Sequence, residues 1–279
     1  MKISNFFYFG SNIGLLVFIL VFTFYGCKNE PEKEKQDAEE VVDTMLTKEN
    51  AIKEISEYPL PTSFEVTKML YEAGASYIFG ISNPVENADK YFTQKSKALN
   101  LGIYGADLSY SSIYDMKQET MLFLMASKKL IDELSIISAF NRFLVERIEV
   151  NIDSKDSLVQ IISDSFYDTY KYLYKNEQNN LSLLVIAGSW IEGVFITSQI
   201  ALFAEKNEVF LKILASQKDP LNKLIELMEP IKEDPNITEV YTDLNKLKIL
   251  FAEVGETLTE KQLDDITNNI EPIRNKIVQ

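Results

Sequence analysis

Apolar residues recur every three or four positions through most of the chain after residue 62, as expected for helices with one buried face. Thr259, with Gln262 three positions later, predicts a capping box at the start of the last such segment. The apolar stripe of that segment is Leu263, Ile266, Ile270, Ile273 and Ile277. No run of alternating apolar and polar residues between turn signals competes with the helices, so no strand is predicted.

The same spacing predicts further helices between residues 62 and 254. Their apolar faces are Val66, Leu70, Ala73 and Tyr77; Leu158, Ile161, Ile162 and Ser165; Leu221, Leu224, Ile225 and Met228; and Val240, Leu244, Leu247, Phe251 and Val254. A proline directly after a capping residue, at Asn83-Pro84 and Asp219-Pro220, predicts two more helix starts. Since the connections are short, we predict an all-α fold, built as an antiparallel helical bundle or a short stack of helical hairpins.

Two of the predicted helices carry almost no charge, which indicates that they lie at the centre of the domain. Asp107 is the only charged residue from 98 to 114, and Glu192 is the only one from 178 to 204. The second segment is long enough to span a membrane, but an acid at its middle favours a buried core helix. Small residues recur at every fourth position on both segments, so we expect these two ridges to face each other or a common third helix, with a close approach of backbones. They are Ala98, Gly102 and Ala106 on the first, and Ser189, Gly193, Thr197 and Ala201 on the second.

The first 27 residues have the pattern of a bacterial lipoprotein signal. Lys2 precedes an apolar stretch, Phe6 to Tyr25, and the only cysteine of the chain, Cys27, follows the small Gly26. This arrangement resembles a lipobox, in which a peptidase cuts before a lipidated cysteine. We therefore predict a cleaved signal peptide over 1–26 and a lipid on Cys27; an uncleaved signal anchor is the alternative.

Charged and polar residues dominate the segment that follows Cys27. We predict that residues 27–54 comprise the lipidated cysteine and a flexible acidic tether, with a frayed helix from Ala38 onward as the alternative for its later part. Residues 55–279 are predicted to form the all-α domain. A lipid on Cys27 would attach the chain to a membrane. We expect the protein to lie in the cell envelope, anchored to the outer membrane. The sequence does not distinguish the periplasmic face of that membrane from the surface face.

Composition excludes several classes of function. The chain has no histidine, which removes imidazole chemistry and disfavours transition-metal sites, and its single cysteine cannot form an internal disulfide. There are 28 Lys and Arg residues against 42 Asp and Glu residues, which gives a net charge of −14. We therefore predict no nucleic-acid partner, no metal and no cofactor.

The two isolated acids are the candidate chemistry of the chain. Burying an unpaired carboxylate costs free energy, so Asp107 and Glu192 need partners. We predict either a buried polar network, in which a guanidinium such as that of Arg142 pairs with an acid, or a polar groove in which the two acids converge. The other candidate residues of this network or groove are Tyr104, Tyr110, Tyr114 and Trp190. We favour a structural network over catalysis.

The middle of the chain contains three stretches that carry a family resemblance: LGIYGADLSY at Leu101 to Tyr110, Asp153-Ser154, and GSWIEG at Gly188 to Gly193. Together they resemble a group of helical, signal-bearing lipoproteins of Bacteroidota that have no assigned function. The resemblance spans about residues 99–199. It implies a lipoprotein with an all-α fold, and it implies no catalytic residue.

Three functions from different classes follow from these features. The favoured one is a non-enzymatic interaction or structural module, attached to the membrane through Cys27, with an unknown envelope protein as partner. The alternative is a lipoprotein that binds a glycan or another small ligand in a groove lined by tyrosines. A hydrolase that uses Asp107 and Glu192 as acid and base is less favoured, because no second motif supports the pair.

Overall fold

The computed structural model describes residues 63–136, 139–176, 178–204 and 207–279. Within these ranges all regular structure is helical, which confirms the predicted all-α class. The α-helices are α1 (Ser63–Glu72), α2 (Gln94–Ile113), α3 (Lys117–Glu133), α4 (Ala139–Val150), α5 (Lys155–Lys175), α6 (Asn179–Phe203), α7 (Glu208–Ala215), α8 (Lys218–Met228), α9 (Thr238–Ala252) and α10 (Glu260–Val278). Two short 3₁₀ helices span Val85–Lys90 and Glu229–Ile231. The predicted signal peptide, Cys27 and the tether lie outside the described residues.

Helices α2 and α6 form the centre of the fold, as their lack of charge predicts. They make the most extensive helix–helix contact among the described residues. Every residue of α2 from Ala98 to Ile113 is buried. Helices α1, α3, α5 and α10 pack around this pair, so the middle of each central helix has no face left for solvent.

The central helices touch backbone to backbone, and glycine makes this possible. A Cβ atom on Gly102 of α2 would lie 2.0 Å from the carbonyl oxygen of Val185, and one on Gly188 of α6 would lie 2.0 Å from that of Leu99. Gly102 belongs to the predicted ridge of small residues and also faces Ser189 of the other ridge. The close approach therefore depends on the absence of two side chains.

Helix α6 is the one described helix long and apolar enough to cross a membrane, over Asn180–Phe203. In the structure 94% of its most apolar stretch is buried inside the protein. A core helix that is surrounded by other helices meets the same criteria of length and composition as a membrane span.

Several local signals read from the sequence are confirmed. Thr259 and Gln262 form the predicted capping box at the start of α10. The buried side chains of α8 and α9 include the predicted stripes, namely Leu221, Leu224, Ile225 and Met228 on α8, and Val240, Leu244, Leu247 and Phe251 on α9.

Three predicted elements differ from the structure. Helix α8 begins at Lys218, so Asp219 lies in its first turn and does not cap it. Helix α1 ends at Glu72, and Tyr77 lies outside it, because Gly74 adopts a φ of +82° that ends the helical run. The segment after Asn83-Pro84 forms a 3₁₀ helix, and Asn83 does not cap it. The amide of Asn83 is engaged elsewhere, since it donates to Tyr91 and Asn100.

Replacing Gly102 by Ala should destabilise the fold by about 3 kcal/mol or more, because the new methyl group overlaps a backbone carbonyl that cannot move without separating α2 from α6. Gly188→Ala should have a similar effect. Gly255→Ala is the matched control, since a Cβ there has no neighbour within 4 Å, and it should cost less than about 1 kcal/mol. Urea unfolding followed by circular dichroism measures all three. Equal stability of Gly102→Ala and Gly255→Ala would show that the helices do not touch.

Candidate functional site

Glu192 lies at the middle of α6 with no surface exposed to solvent, and it pairs with Arg274 of α10. The guanidinium donates from Nε to Oε2 and from Nη2 to Oε1, each at 2.9 Å. Nη2 also donates to the carbonyl oxygen of Ile81 at 3.3 Å, and the guanidinium lies 4.8 Å from the ring centroid of Phe195. Such two-point pairing is the arrangement in which a buried arginine best compensates a carboxylate.

Asp107 of α2 is the second fully buried acid, and it lies close enough to Glu192 for the two carboxyl groups to interact electrostatically. Its Oδ2 accepts a hydrogen bond from the backbone N–H of Asn83 at 3.1 Å. Among the described residues its Oδ1 has no hydrogen-bond partner, and neither has the hydroxyl of Ser82, which faces the carboxyl. The structure therefore brings together the two acids that the sequence singles out.

Burial raises the pKa of Asp107 well above its ordinary value of 3.8, and the negative charge of Glu192 raises it further. Arg274 opposes this shift, as do the groups of Ser82 and Asn83 that face the carboxyl. Burial also raises the pKa of Glu192, although the direct contact with the guanidinium of Arg274 lowers it. Because both oxygens of Glu192 accept from Arg274, we assign the negative charge to Glu192 and a proton to Asp107.

The chemistry open to this arrangement is limited by its enclosure. Neither carboxyl group has surface exposed to solvent, whereas a general acid or base has to reach the substrate. The described residues hold no group of three or more His, Cys, Asp or Glu side chains that could bind a metal ion. Within this enclosure the two acids and Arg274 form one ion pair and hold one proton.

A loop without regular structure covers the two acids. It comprises residues 73–84, between α1 and the first 3₁₀ helix, and we name it the cover loop. Polar side chains of α2 hold its backbone through three hydrogen bonds. The contacts are Tyr104 Oη donating to Pro84 O at 2.9 Å, Asn83 N donating to Asp107 Oδ2 at 3.1 Å, and Ile78 N donating to Tyr110 Oη at 2.8 Å.

Side chains next to the cover loop also hold the end of α10. The last carbonyl groups of a helix have no hydrogen-bond partner within the helix, and here three side chains donate hydrogen bonds to them. They are Asn100 Nδ2, which donates to Ile277 O at 2.9 Å, Asn87 Nδ2, which donates to Val278 O at 3.1 Å, and Tyr91 Oη, which donates to Val278 O at 3.3 Å. These bonds fix the helix about one turn after Arg274, so the guanidinium stays directed at Glu192.

The remaining predicted residues occupy different surroundings. Tyr114 packs edge-on against Tyr110, with ring centroids 5.1 Å apart, and Trp190 packs edge-on against Phe251 at 6.2 Å. Within the described part of the chain, the Tyr114 hydroxyl and the Trp190 ring N–H have no hydrogen-bond partner. The side chain of Arg142 lies outside the described residues, so its predicted role stays a prediction.

Arg274 is the residue of the site that the sequence analysis missed. It follows Ile270 and precedes Val278 by four positions, on the buried face of α10. A charged residue at helical spacing within an apolar face requires a buried partner. Arg274 is also one of only three arginines in the chain, so this signal was present in the sequence.

A concave surface, which we name the aromatic cleft, lies between the cover loop and helices α6 and α7. It has a volume of about 460 Å³, and its lining comprises residues 74–79, Ile200, Phe203, Ala204 and Phe210. Phe79 and Phe203 are 72% and 74% exposed. Tyr77 connects the cleft to the interior, because its ring stacks on that of Tyr110 with centroids 4.5 Å apart and contacts that of Phe79 at 5.1 Å.

Glu192→Gln should destabilise the protein by about 3–5 kcal/mol, because it leaves the buried guanidinium of Arg274 without a counter-charge. Asp107→Asn should not destabilise the protein at pH 7 and should stabilise it, since an amide resembles the protonated acid and, unlike aspartate, gains nothing from ionisation in the unfolded state. Chemical denaturation at pH 7 compares the two variants. A large loss in Asp107→Asn with a small one in Glu192→Gln would reverse our assignment of charge and proton.

The stability contributed by protonated Asp107 is fully present below its ordinary pKa of 3.8 and is lost as pH rises toward the raised pKa of the folded state. The stability difference between the native chain and Asp107→Asn should therefore fall with pH, by at most about 1.4 kcal/mol per unit. Urea unfolding at several values between pH 4 and pH 8 measures this difference. A difference that is constant or rises over this range contradicts a protonated Asp107.

Comparison of the chain with protein-family models, with curated proteins and with solved structures gives no match. The resemblance to lipoproteins of Bacteroidota stays a prediction. The buried acid pair, the cover loop and the aromatic cleft are therefore the basis on which a function can be assigned.

Proposed function

We propose that this chain is a lipid-anchored protein of the bacterial cell envelope that acts as a non-enzymatic interaction module. A lipid on Cys27 would hold it at the membrane, and residues 28–54 would act as the tether. The folded domain would receive a segment of a partner protein in the aromatic cleft. The observation that carries the proposal is the exposure of Phe79 and Phe203 at the edge of this concave surface.

Exposed aromatic side chains beside a concavity are typical of binding surfaces. Burying Phe79 and Phe203, which are 72% and 74% exposed, would contribute about 2–4 kcal/mol to an association. The cleft volume of about 460 Å³ is sufficient for one or two apolar side chains. These properties fit an apolar segment of a protein better than they fit a polar ligand.

The net charge of the chain indicates which chemical groups the partner segment would carry. The chain carries a net charge of −14, which repels an anionic membrane surface and attracts basic groups. We therefore propose a partner segment with apolar side chains that is flanked by lysine or arginine. Electrostatic attraction would speed the encounter, and the aromatic contacts would supply the affinity.

The alternative of a glycan bound in a groove lined by tyrosines has less support. The hydroxyl of Tyr77 donates to Glu119, and that of Tyr110 accepts from the cover loop, so both are already engaged. Their rings also stack on each other, which occupies one flat face of each ring on which a sugar could lie. A hydrolase based on Asp107 and Glu192 is disfavoured by their complete burial.

Photo-crosslinking in intact cells tests the proposal. The full chain carries p-benzoylphenylalanine in place of Phe79, and illumination should join it to a discrete protein whose contact segment is apolar and flanked by basic residues. Phe203→Ser should lower the yield about tenfold, because it removes one aromatic contact. Ile249→Ser is the matched control, since Ile249 is 71% exposed and does not line the cleft.

The same photoreactive residue in place of Phe92, which is 83% exposed and lies outside the cleft, controls for exposure alone. Equal yields at positions 79 and 92, a product insensitive to Phe203→Ser, or attachment only to lipid or glycan would each overturn the proposal. Identification of the crosslinked segment by mass spectrometry tests its predicted chemistry.

A further inference from the structure

The cover loop belongs to both the aromatic cleft and the buried acid pair. Its first half, residues 74–79, lines the cleft. Its second half covers the acids, because the carbonyl of Ile81 accepts from Arg274 and the N–H of Asn83 donates to Asp107. Only Gly80 separates Phe79, which lines the cleft, from Ile81, which contacts Arg274.

We propose that the protonation state of Asp107 regulates the aromatic cleft through the cover loop. With a proton on Asp107, the loop lies closed and presents Phe79 beside Phe203. Loss of the proton displaces the loop and alters the cleft. This inference rests on the proposed function, since it concerns the regulation of the same binding surface.

The physical reason lies in the balance of charge in the core. When Asp107 ionises, two carboxylates share one guanidinium, and a net negative charge remains where no water reaches it. The acids sit on α2 and α6, whose backbones are in contact and cannot separate at low cost. The cover loop is the non-helical part of the enclosure, so its displacement is the easiest way to hydrate Asp107.

The loop also has the freedom that such a displacement requires. Gly74 and Gly80 have φ values of +82° and +73°, in a region that glycine enters and leaves without strain from a Cβ atom. Two groups of the loop face the Asp107 carboxyl, the N–H of Asn83 and the hydroxyl of Ser82, and both favour its ionised form. They do not outweigh burial and the charge of Glu192, which keep the pKa of Asp107 raised, so an ionised Asp107 is left short of partners in the closed loop.

Other titratable groups around Asp107 do not change charge in the same range of pH. The groups that interact with it electrostatically are Glu192, Arg274, Tyr77, Tyr91, Tyr104 and Tyr110. Burial is the first cause of a raised pKa in all four tyrosines, and the pKa of Tyr110 rises to about 12, so they stay neutral. Glu192 and Arg274 stay charged as a pair.

Fluorine NMR on the full chain in detergent micelles tests the inference. The phenylalanines are replaced by 4-fluorophenylalanine, and the signals of Phe79, Phe203 and Phe92 are assigned with single Phe→Leu variants. Between pH 5 and pH 9 the Phe79 signal should shift along a one-proton titration curve. In Asp107→Asn it should stay at its low-pH position. Phe92, exposed and outside the cleft, should not titrate in either chain.

A second measurement avoids any variant that fails to fold. Infrared difference spectra of the unaltered chain should lose a protonated-carboxyl band with the same midpoint as the Phe79 shift. A Phe79 signal that does not move, an equal titration in Asp107→Asn, or a carboxyl band with a different midpoint would each overturn the inference. A stationary Phe79 signal together with a specific crosslink at position 79 rejects the regulation and keeps the proposed function. A Phe79 signal that titrates, together with no crosslink at position 79, keeps the regulation of the loop by Asp107 and rejects the proposed function.

Discussion

Two carboxyl groups and one guanidinium are enclosed at the centre of this protein, and their surroundings follow from the cost of removing charge from water. Glu192 uses both of its oxygens to accept from Arg274, which leaves Asp107 without a cation of its own. Because Asp107 has no counter-charge, binding a proton costs less free energy than keeping its carboxylate ionised in the core. The core therefore holds one ion pair and one neutral acid, where three charges would be far less stable.

Four separate parts of the chain meet at this group, and three kinds of contact position them. Helices α2 and α6 approach closely because Gly102 and Gly188 have no side chains at the contact. Helix α10 is held at its C-terminal end by side chains from residues 87–100, which keeps Arg274 in place. The cover loop closes the remaining side with its own backbone groups. The polar contacts thus fix the arrangement of elements that the hydrophobic core alone would pack less specifically.

The sequence predicted those features that depend on local spacing. The absence of charge around Asp107 and Glu192 identified the central helices, and the small residue Gly102 indicated a close backbone contact. Tyr77 was placed on a helix because its spacing from Ala73 is helical, but the conformation of Gly74 ends α1 before it. Arg274 was overlooked because the predicted apolar face continues from Ile270 through Ile273 and Ile277. The face that is buried in the structure instead continues through Arg274 and Val278. A shift of one position on a helix face decides which side chains are buried.

By itself, the sequence determined the helical class, the positions of most helices and the two acids that need partners. Period, capping residues and local charge act over a few positions and can be read along the chain. The tertiary structure alone decided that Arg274, 82 residues from Glu192, supplies the counter-charge, and that the cover loop joins the acids to an exposed aromatic cleft. These contacts join residues far apart in the chain, and they exist only because the packing of α2, α6 and α10 brings them within hydrogen-bonding distance.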